Sequence, residues 1–94
     1  MIDTERTPNP NSLKFTSREG SFSESEIVAI SSTDESDRHP LGARLFDIEG
    51  VDDVFITPGF VTVSKVADAS WDEVKPSIES ALETYLRSQA DEQG

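Results

Sequence analysis

The feature that most constrains the fold of this 94-residue sequence is the segment from Ser70 to Leu86. Ser70 and Glu73 have the S-x-x-E spacing of a capping box, which predicts the start of an α-helix. Pro76 predicts either a restart or a kink in its first turns. The following apolar residues recur at the spacing of one helical face: Val74, Ile78, Ala81, Leu82, Tyr85 and Leu86. A helix with one apolar stripe must be covered by a second layer.

That second layer is predicted to be an antiparallel sheet. Residues 51–66 predict a β-hairpin that turns at Pro58 and Gly59, with a positive φ at the glycine. In its second strand one set of side chains alternates with another: Val61, Val63 and Lys65 against Phe60, Thr62 and Ser64. Such alternation indicates a sheet with one buried face and one wetter face.

The remaining secondary structure is short. Residues 2–6 and 13–16 predict two strands, and the apolar residues 27–30 are compatible with another. Residues 40–49 predict a helix, because Pro suits a first helical position and Gly50 suits its end. The predicted fold class is therefore α+β, a two-layer sandwich with an antiparallel sheet of about four strands and two helices on one face.

The domain prediction follows from length. A chain of 94 residues supports one domain, here residues 1–94, with a modest core. Its most polar stretches predict a loop near residues 31–39 and a frayed tail near residues 88–94.

The charge balance limits the classes of partner that the chain can bind. Nineteen acidic residues oppose eight basic ones, and a net charge of −11 argues against binding nucleic acid or anionic membranes. Either a basic partner or a halophilic surface, suited to a high-salt cytoplasm, would explain the acidity. Because the acidic residues are spread along the whole chain, the second explanation is favoured. No run approaches the ~20 apolar residues of a membrane span, and the first residues do not resemble a signal peptide, so a cytoplasmic location is expected.

The residues available for catalysis are few. The chain has no cysteine, which excludes thiolate metal ligands, and His39 is its only histidine. A catalytic triad would have to use His39, and a zinc site with two histidines is impossible. We expect His39 to be an exposed residue near a helix N-terminus, and we predict that the protein is not an enzyme.

Two groups of residues are candidates for binding. Four carboxylates near Gly50, from Asp47, Glu49, Asp52 and Asp53, could bind a hard cation weakly, although such clusters are more often solvated surface. The second group is an unusual turn, Pro8, Asn9, Pro10 and Asn11, together with Trp71. The turn could dock a partner or could only fix strand register, and Trp71 could be an exposed anchor or could cap the core.

The segment Thr7-Pro8-Asn9-Pro10-Asn11-Ser12-Leu13-Lys14-Phe15 resembles the opening signature of the N-terminal domain of Nfu/NifU iron–sulfur cluster scaffold proteins. Further segments resemble that domain in the same order: residues 40–41 and 45–51, residues 53–55 and 60–65, and residues 71–78. The resemblance covers nearly the whole chain. One departure is His39, which stands where members of the family often have a capping serine.

The resemblance implies a link to iron–sulfur cluster assembly without a ligand for the cluster. In full-length Nfu proteins a separate domain carries the C-x-x-C pair that binds the cluster, and this sequence has no such pair. The implied function is that of a non-catalytic accessory or interaction domain, with no cofactor of its own. Its implied partners are iron–sulfur assembly proteins, such as a C-x-x-C-bearing Nfu domain, or recipient apoproteins. A weak cation-binding or sensing domain is the alternative.

Overall fold

Two layers, a sheet and a pair of helices, make up the computed structural model, which describes residues 2–17, 22, 27–32, 34–35 and 38–93. In chain order the elements are β1 (Ile2–Arg6), β2 (Ser12–Ser17), β3 (Val28–Ile30), α1 (Pro40–Phe46), β4 (Val51–Ile56), β5 (Val61–Lys65) and α2 (Trp71–Gln93). The predicted α+β class is confirmed.

All strand pairs in the sheet are antiparallel, and the strand order is β1-β2-β5-β4-β3. The sheet has five strands among the described residues, one more than the predicted number of about four. The additional strand is β3, whose three residues pair with β4 at one edge. Three residues show little periodicity, so the sequence was compatible with a strand at this position but did not predict one.

The core lies between the sheet and both helices. Phe15, Val61, Ile56 and Val28 sit side by side across four strands, and all four are buried. The helices cover this row with the buried residues Leu41, Leu45, Ile78 and Leu82. Burial of such side chains stabilises the fold by roughly 1.5–3 kcal/mol each. The stripe predicted for the last helix is therefore the face that packs on the sheet.

Helix α1 begins as predicted at Pro40 but ends at Phe46, three residues earlier than expected. His39 is its N-cap, and its Nδ1 accepts a hydrogen bond of 3.2 Å from the backbone N–H of Leu41. The expectation of an exposed His39 was wrong, because the ring is buried and lies 5.8 Å from that of Tyr85, centroid to centroid.

The turn after α1 depends on a glycine conformation, whereas the hairpin turn depends on side-chain hydrogen bonds. Gly50 adopts a φ of +99°, which L side chains rarely adopt. Gly59 does not have the positive φ that was predicted. Instead the Thr57 Oγ1 closes the hairpin, accepting from the Phe60 N–H at 3.0 Å and lying 3.0 Å from the Phe60 carbonyl oxygen.

Helix α2 runs from Trp71 through Pro76 to Gln93 as one helix, so of the two alternatives predicted at Pro76 the restart does not occur. The expected fraying near residues 88–94 stays a prediction, and residue 94 lies outside the described residues. The polar loop expected near residues 31–39 falls between β3 and α1. Of that loop, residues 33, 36 and 37 also lie outside the described residues.

Candidate functional site

The turn between β1 and β2 is held by hydrogen bonds among its own residues. The Asn9 N–H donates to Thr7 Oγ1 at 3.2 Å, and the Asn11 N–H donates to Asn9 Oδ1 at 2.9 Å. Thr7 Oγ1 also lies 2.9 Å from the Asn9 carbonyl oxygen and 3.0 Å from that of Ser12. Short Thr and Asn side chains that bond to nearby backbone in this way fix a turn without regular secondary structure.

The same turn is tied to distant parts of the chain. Lys65 contacts Asn11 twice, with its backbone N–H 2.8 Å from the Asn11 carbonyl oxygen and its Nζ 3.0 Å from Asn11 Oδ1. The indole Nε1–H of Trp71 donates to the Pro10 carbonyl oxygen at 3.0 Å. The Lys65 ammonium lies 5.9 Å from the centroid of the Trp71 ring, within cation–π range.

The five residues predicted to bind a partner therefore lie together, and we call them the turn–Trp71 surface: Pro8, Asn9, Pro10, Asn11 and Trp71. The first three side chains are exposed, while those of Asn11 and Trp71 are half-buried. Trp71 also packs against the core cluster. The indole therefore packs on the core and borders an exposed turn, and its role as an anchor for a partner stays a prediction.

Lys65 is the residue of this surface region that sequence reasoning missed. Lys14 pairs with the neighbouring acid Glu5 at 3.7 Å. Lys65 instead contacts an amide oxygen, a backbone carbonyl and an indole ring, and it has no ion pair with a described residue. Its position on the same strand face as Val61 and Val63 was the available signal that it points toward the start of α2.

The carboxylates near Gly50 do not assemble. Asp47, Glu49 and Asp52 are exposed, and Asp53 is half-buried on β4. Among the described residues, no group of three or more His, Cys, Asp or Glu side chains is placed to hold a metal ion. The cation-binding alternative therefore gains no support from the geometry.

His39 lies in no catalytic arrangement that the described residues display. Its Nδ1 is engaged in capping α1, and its ring is packed beside Tyr85. The buried His39 side chain is explained by its structural role at the helix N-terminus.

Taken together, these features describe a small α+β domain with an exposed, hydrogen-bonded turn beside Trp71. The site offers proline rings, amide groups and an indole, and the chain has no cysteine thiolate with which to ligate a cluster. A family model described as "Scaffold protein Nfu/NifU N terminal" matches residues 2–89, and the chain belongs to this family. It is a family of scaffold-protein domains and is non-catalytic.

Relatives and solved structures agree with this assignment. The human mitochondrial NFU1 iron–sulfur cluster scaffold homolog is 38% identical over 89 residues, which cover 94% of this chain and 35% of that protein. The mitochondrial NifU-like protein 4 of Arabidopsis thaliana is 35% identical, with coverages of 94% and 31%. The solution structure of a NifU-like protein from Saccharomyces cerevisiae superposes with a TM-score of 0.76 at 29% identity, covering 94% of this chain and 79% of that one.

A crystal structure of the Staphylococcus aureus protein SAV1430 superposes with a TM-score of 0.70 at 28% identity. That match covers 85% of this chain and 94% of the other, so a solved chain of nearly the same extent shares the fold. In contrast, the chain spans only about a third of the length of the human and plant relatives. Within the described residues, no helix has the length and apolar character to cross a membrane.

Proposed function

We propose that this domain is a non-catalytic docking module in iron–sulfur cluster assembly, and that it binds its partner through the turn–Trp71 surface. The partner is an iron–sulfur assembly protein, such as a C-x-x-C-bearing Nfu domain, or a recipient apoprotein. The cluster is carried by the partner, because this chain contributes no thiolate ligand. Membership of the Nfu/NifU family supports the pathway, and the geometry of the turn supports the surface.

The observation that carries the proposal is an exposed turn whose backbone is held by hydrogen bonds. Pro8, Asn9 and Pro10 present their side chains to solvent, while their backbone is fixed by the Thr7 and Asn9 hydrogen bonds and by Trp71. A preorganised surface loses little conformational entropy on binding, so more of its contact energy appears as affinity. Trp is also enriched among the residues that anchor interfaces.

The experiment is a titration of the isotopically labelled chain with a C-x-x-C-bearing Nfu domain and with recipient apoproteins. We expect saturable amide shifts in residues 7–11 and in the indole N–H of Trp71. The double variant Pro8→Ala with Pro10→Ala keeps the Pro10 carbonyl that accepts from Trp71 but removes both exposed rings. It should weaken binding by about tenfold, or roughly 1.4 kcal/mol.

The matched control is Ile27→Ala, which removes an exposed apolar side chain beside β3, the edge strand farthest from β1 in the sheet order. It should leave the affinity unchanged. The proposal fails if none of these partners binds, if binding leaves residues 7–11 and Trp71 unaffected, or if the control weakens binding as much as the proline variant. Titration with Fe²⁺ or Ca²⁺ alone tests the cation alternative, for which shifts at residues 47–53 would be required.

We also propose a cytoplasmic location and a surface suited to a high-salt cytoplasm. The supporting feature is the distribution of nineteen acidic residues over the whole chain, which gives a general rather than a local negative potential. The mitochondrial location in the names of the relatives belongs to those proteins and is not carried over to this chain.

A further inference from the structure

A groove lies beside the start of α2, on a surface that the proposed function does not use. It has a volume of about 480 Å³ and is bounded by the turn after α1, the loop after β5 and the first turns of α2. Its apolar lining comes from Ile48, Val66, Ala69 and Val74. Val66 is 39% exposed, an unusual degree for a large apolar side chain in this domain. The groove therefore offers an apolar floor that no described residue covers.

The walls of the groove are fixed by the backbone. The Gly50 carbonyl oxygen accepts from the Val66 N–H at 2.8 Å, and the Val66 carbonyl oxygen accepts from the Ala69 N–H at 3.1 Å. A Cβ atom on Gly50 would lie 2.9 Å from Val74 Cγ2 and 3.0 Å from the Ala69 Cβ. The walls thus meet at a glycine, and backbone hydrogen bonds join the segments that form them.

The rim of the groove is acidic. Glu49, Asp68 and Glu73 line it, and none of the described lining residues carries a positive charge. Within the described part of the chain, none of these three carboxylates has a hydrogen bond or an ion pair. They are also not placed to share one metal ion. Separate carboxylates around an apolar floor suit basic side chains, which can each reach a different carboxylate.

We propose that this groove docks a segment of a partner protein that presents an aliphatic side chain flanked by Lys or Arg residues. The aliphatic group would cover Val66 and the floor, and the flanking cations would pair with the rim. Charge complementarity selects this occupant, because an acidic or phosphorylated segment would meet three carboxylates on a chain of net charge −11. This interaction goes beyond the proposed function and does not depend on the turn–Trp71 surface.

The test uses three short peptides and the labelled full chain at fixed ionic strength. The probe is acetyl-Arg-Leu-Arg-amide, and the two comparison peptides replace its leucine by glycine or both arginines by glutamate. We expect the probe to give saturable amide shifts confined to residues 48–50, 66–69 and 73–77. The glycine peptide should bind at least tenfold more weakly, and the glutamate peptide should give no shifts.

Two triple variants with equal net charge separate the groove from general attraction. Glu49→Gln with Asp68→Asn and Glu73→Gln should reduce affinity for the probe by at least tenfold. Asp3→Asn with Asp34→Asn and Glu83→Gln removes three exposed carboxylates elsewhere and should leave the affinity within twofold. Val66→Ala, which changes no charge, should weaken binding of the leucine probe but not of the glycine peptide.

The proposal is overturned if the probe gives no saturable shifts, or if its shifts spread over the acidic surface outside the groove. It is also overturned if both triple variants weaken binding equally. Amide spectra that are unchanged outside the substituted sites show that each variant keeps the fold. Failure of the turn–Trp71 titration has no bearing on these outcomes, since the peptides need no iron–sulfur protein.

Discussion

The indole N–H of Trp71 donates a hydrogen bond of 3.0 Å to the backbone carbonyl oxygen of Pro10, which lies 61 residues earlier in the chain. This contact joins the first residue of α2 to the turn between β1 and β2. Lys65 lies between the two and binds Asn11. An exposed, proline-containing turn is thereby held by the helix and the sheet at once, which explains how it keeps a defined shape at the surface.

Replacing Trp71 by Phe tests this connection. The variant keeps an aromatic ring but loses the indole N–H, so the Pro10 carbonyl loses its partner. We expect the free energy of unfolding to fall by about 1 kcal/mol, the usual net value of one hydrogen bond. Urea denaturation followed by circular dichroism measures the change. Hydrogen exchange of the Asn11 and Lys65 amides should also accelerate, and an unchanged exchange pattern with unchanged stability would argue that the contact does not hold the turn.

Replacing Gly50 by Ala should destabilise the fold by about 1–3 kcal/mol. Two effects act together. The φ of +99° is strained for any L side chain, and the new Cβ would press against Val74 and Ala69.

The matched control for that substitution is Gly59→Ala in the hairpin turn. Gly59 lacks a positive φ, and no atom of the described residues lies within 4 Å of the position that an added Cβ would take. The free energy of unfolding of the Gly59→Ala variant should stay within about 0.5 kcal/mol of that of the parent chain, the usual range for surface substitutions. Thermal unfolding of both variants distinguishes them, and equal losses would show that the conformation of Gly50 is not the cause.

Local periodicity explains which parts of the fold could be predicted. The stripe of α2 and the alternation in β5 depend on neighbours within a few residues, and both elements appear where the sequence placed them. The strand β3 is different, because its three residues become a strand only by pairing with β4. The end of α1 was placed at Glu49 on the strength of Gly50, whereas the helix ends at Phe46 and Asp47 is its C-cap.

The candidate site was predictable in its members but not in its arrangement. Pro8 to Asn11 stand out by composition and Trp71 by residue type, yet nothing local joins position 10 to position 71. The role of Lys65 in linking them was missed for the same reason. The burial of His39 was also missed, since it depends on Tyr85 in the last helix. The groove beside α2 brings together residues from three separate segments, so no single pattern marks it.

His39 should prove to be a structural cap. Replacing it by Ala removes the acceptor for the Leu41 N–H, and we expect a loss of about 1–2 kcal/mol in unfolding free energy from the cap alone. His39→Asn restores a capping oxygen while it also loses the ring beside Tyr85. The asparagine variant should therefore recover about 1 kcal/mol relative to alanine. Chemical denaturation measures both, and equal stability of the two variants would show that packing rather than capping is the role of His39.

The Glu35 carboxyl should titrate at lower pH than an ordinary glutamate. A hydrogen bond from the Ser31 hydroxyl at 3.0 Å is the main cause, and the Ser31 backbone N–H at 3.3 Å and Arg38 also lower its pKa. Because the folded-state pKa is depressed, this contribution to stability is present above the unfolded pKa and is lost as pH falls through the folded value. Ser31→Ala should move the pKa upward, measured from the side-chain carbon shift against pH, and an unmoved titration would exclude the serine as the cause.

The dependence of stability on salt tests the interpretation of the acidic surface. A net charge of −11 on 94 residues opposes the compact state through self-repulsion. The Debye length falls from about 10 Å at 0.1 M salt to about 3 Å at 1 M, so this repulsion is largely screened in molar KCl. The melting temperature should therefore rise markedly between dilute buffer and 1 M KCl. The variant with Asp3→Asn, Asp34→Asn and Glu83→Gln carries less charge and should show a smaller rise, whereas a flat response of the parent chain would remove the high-salt interpretation.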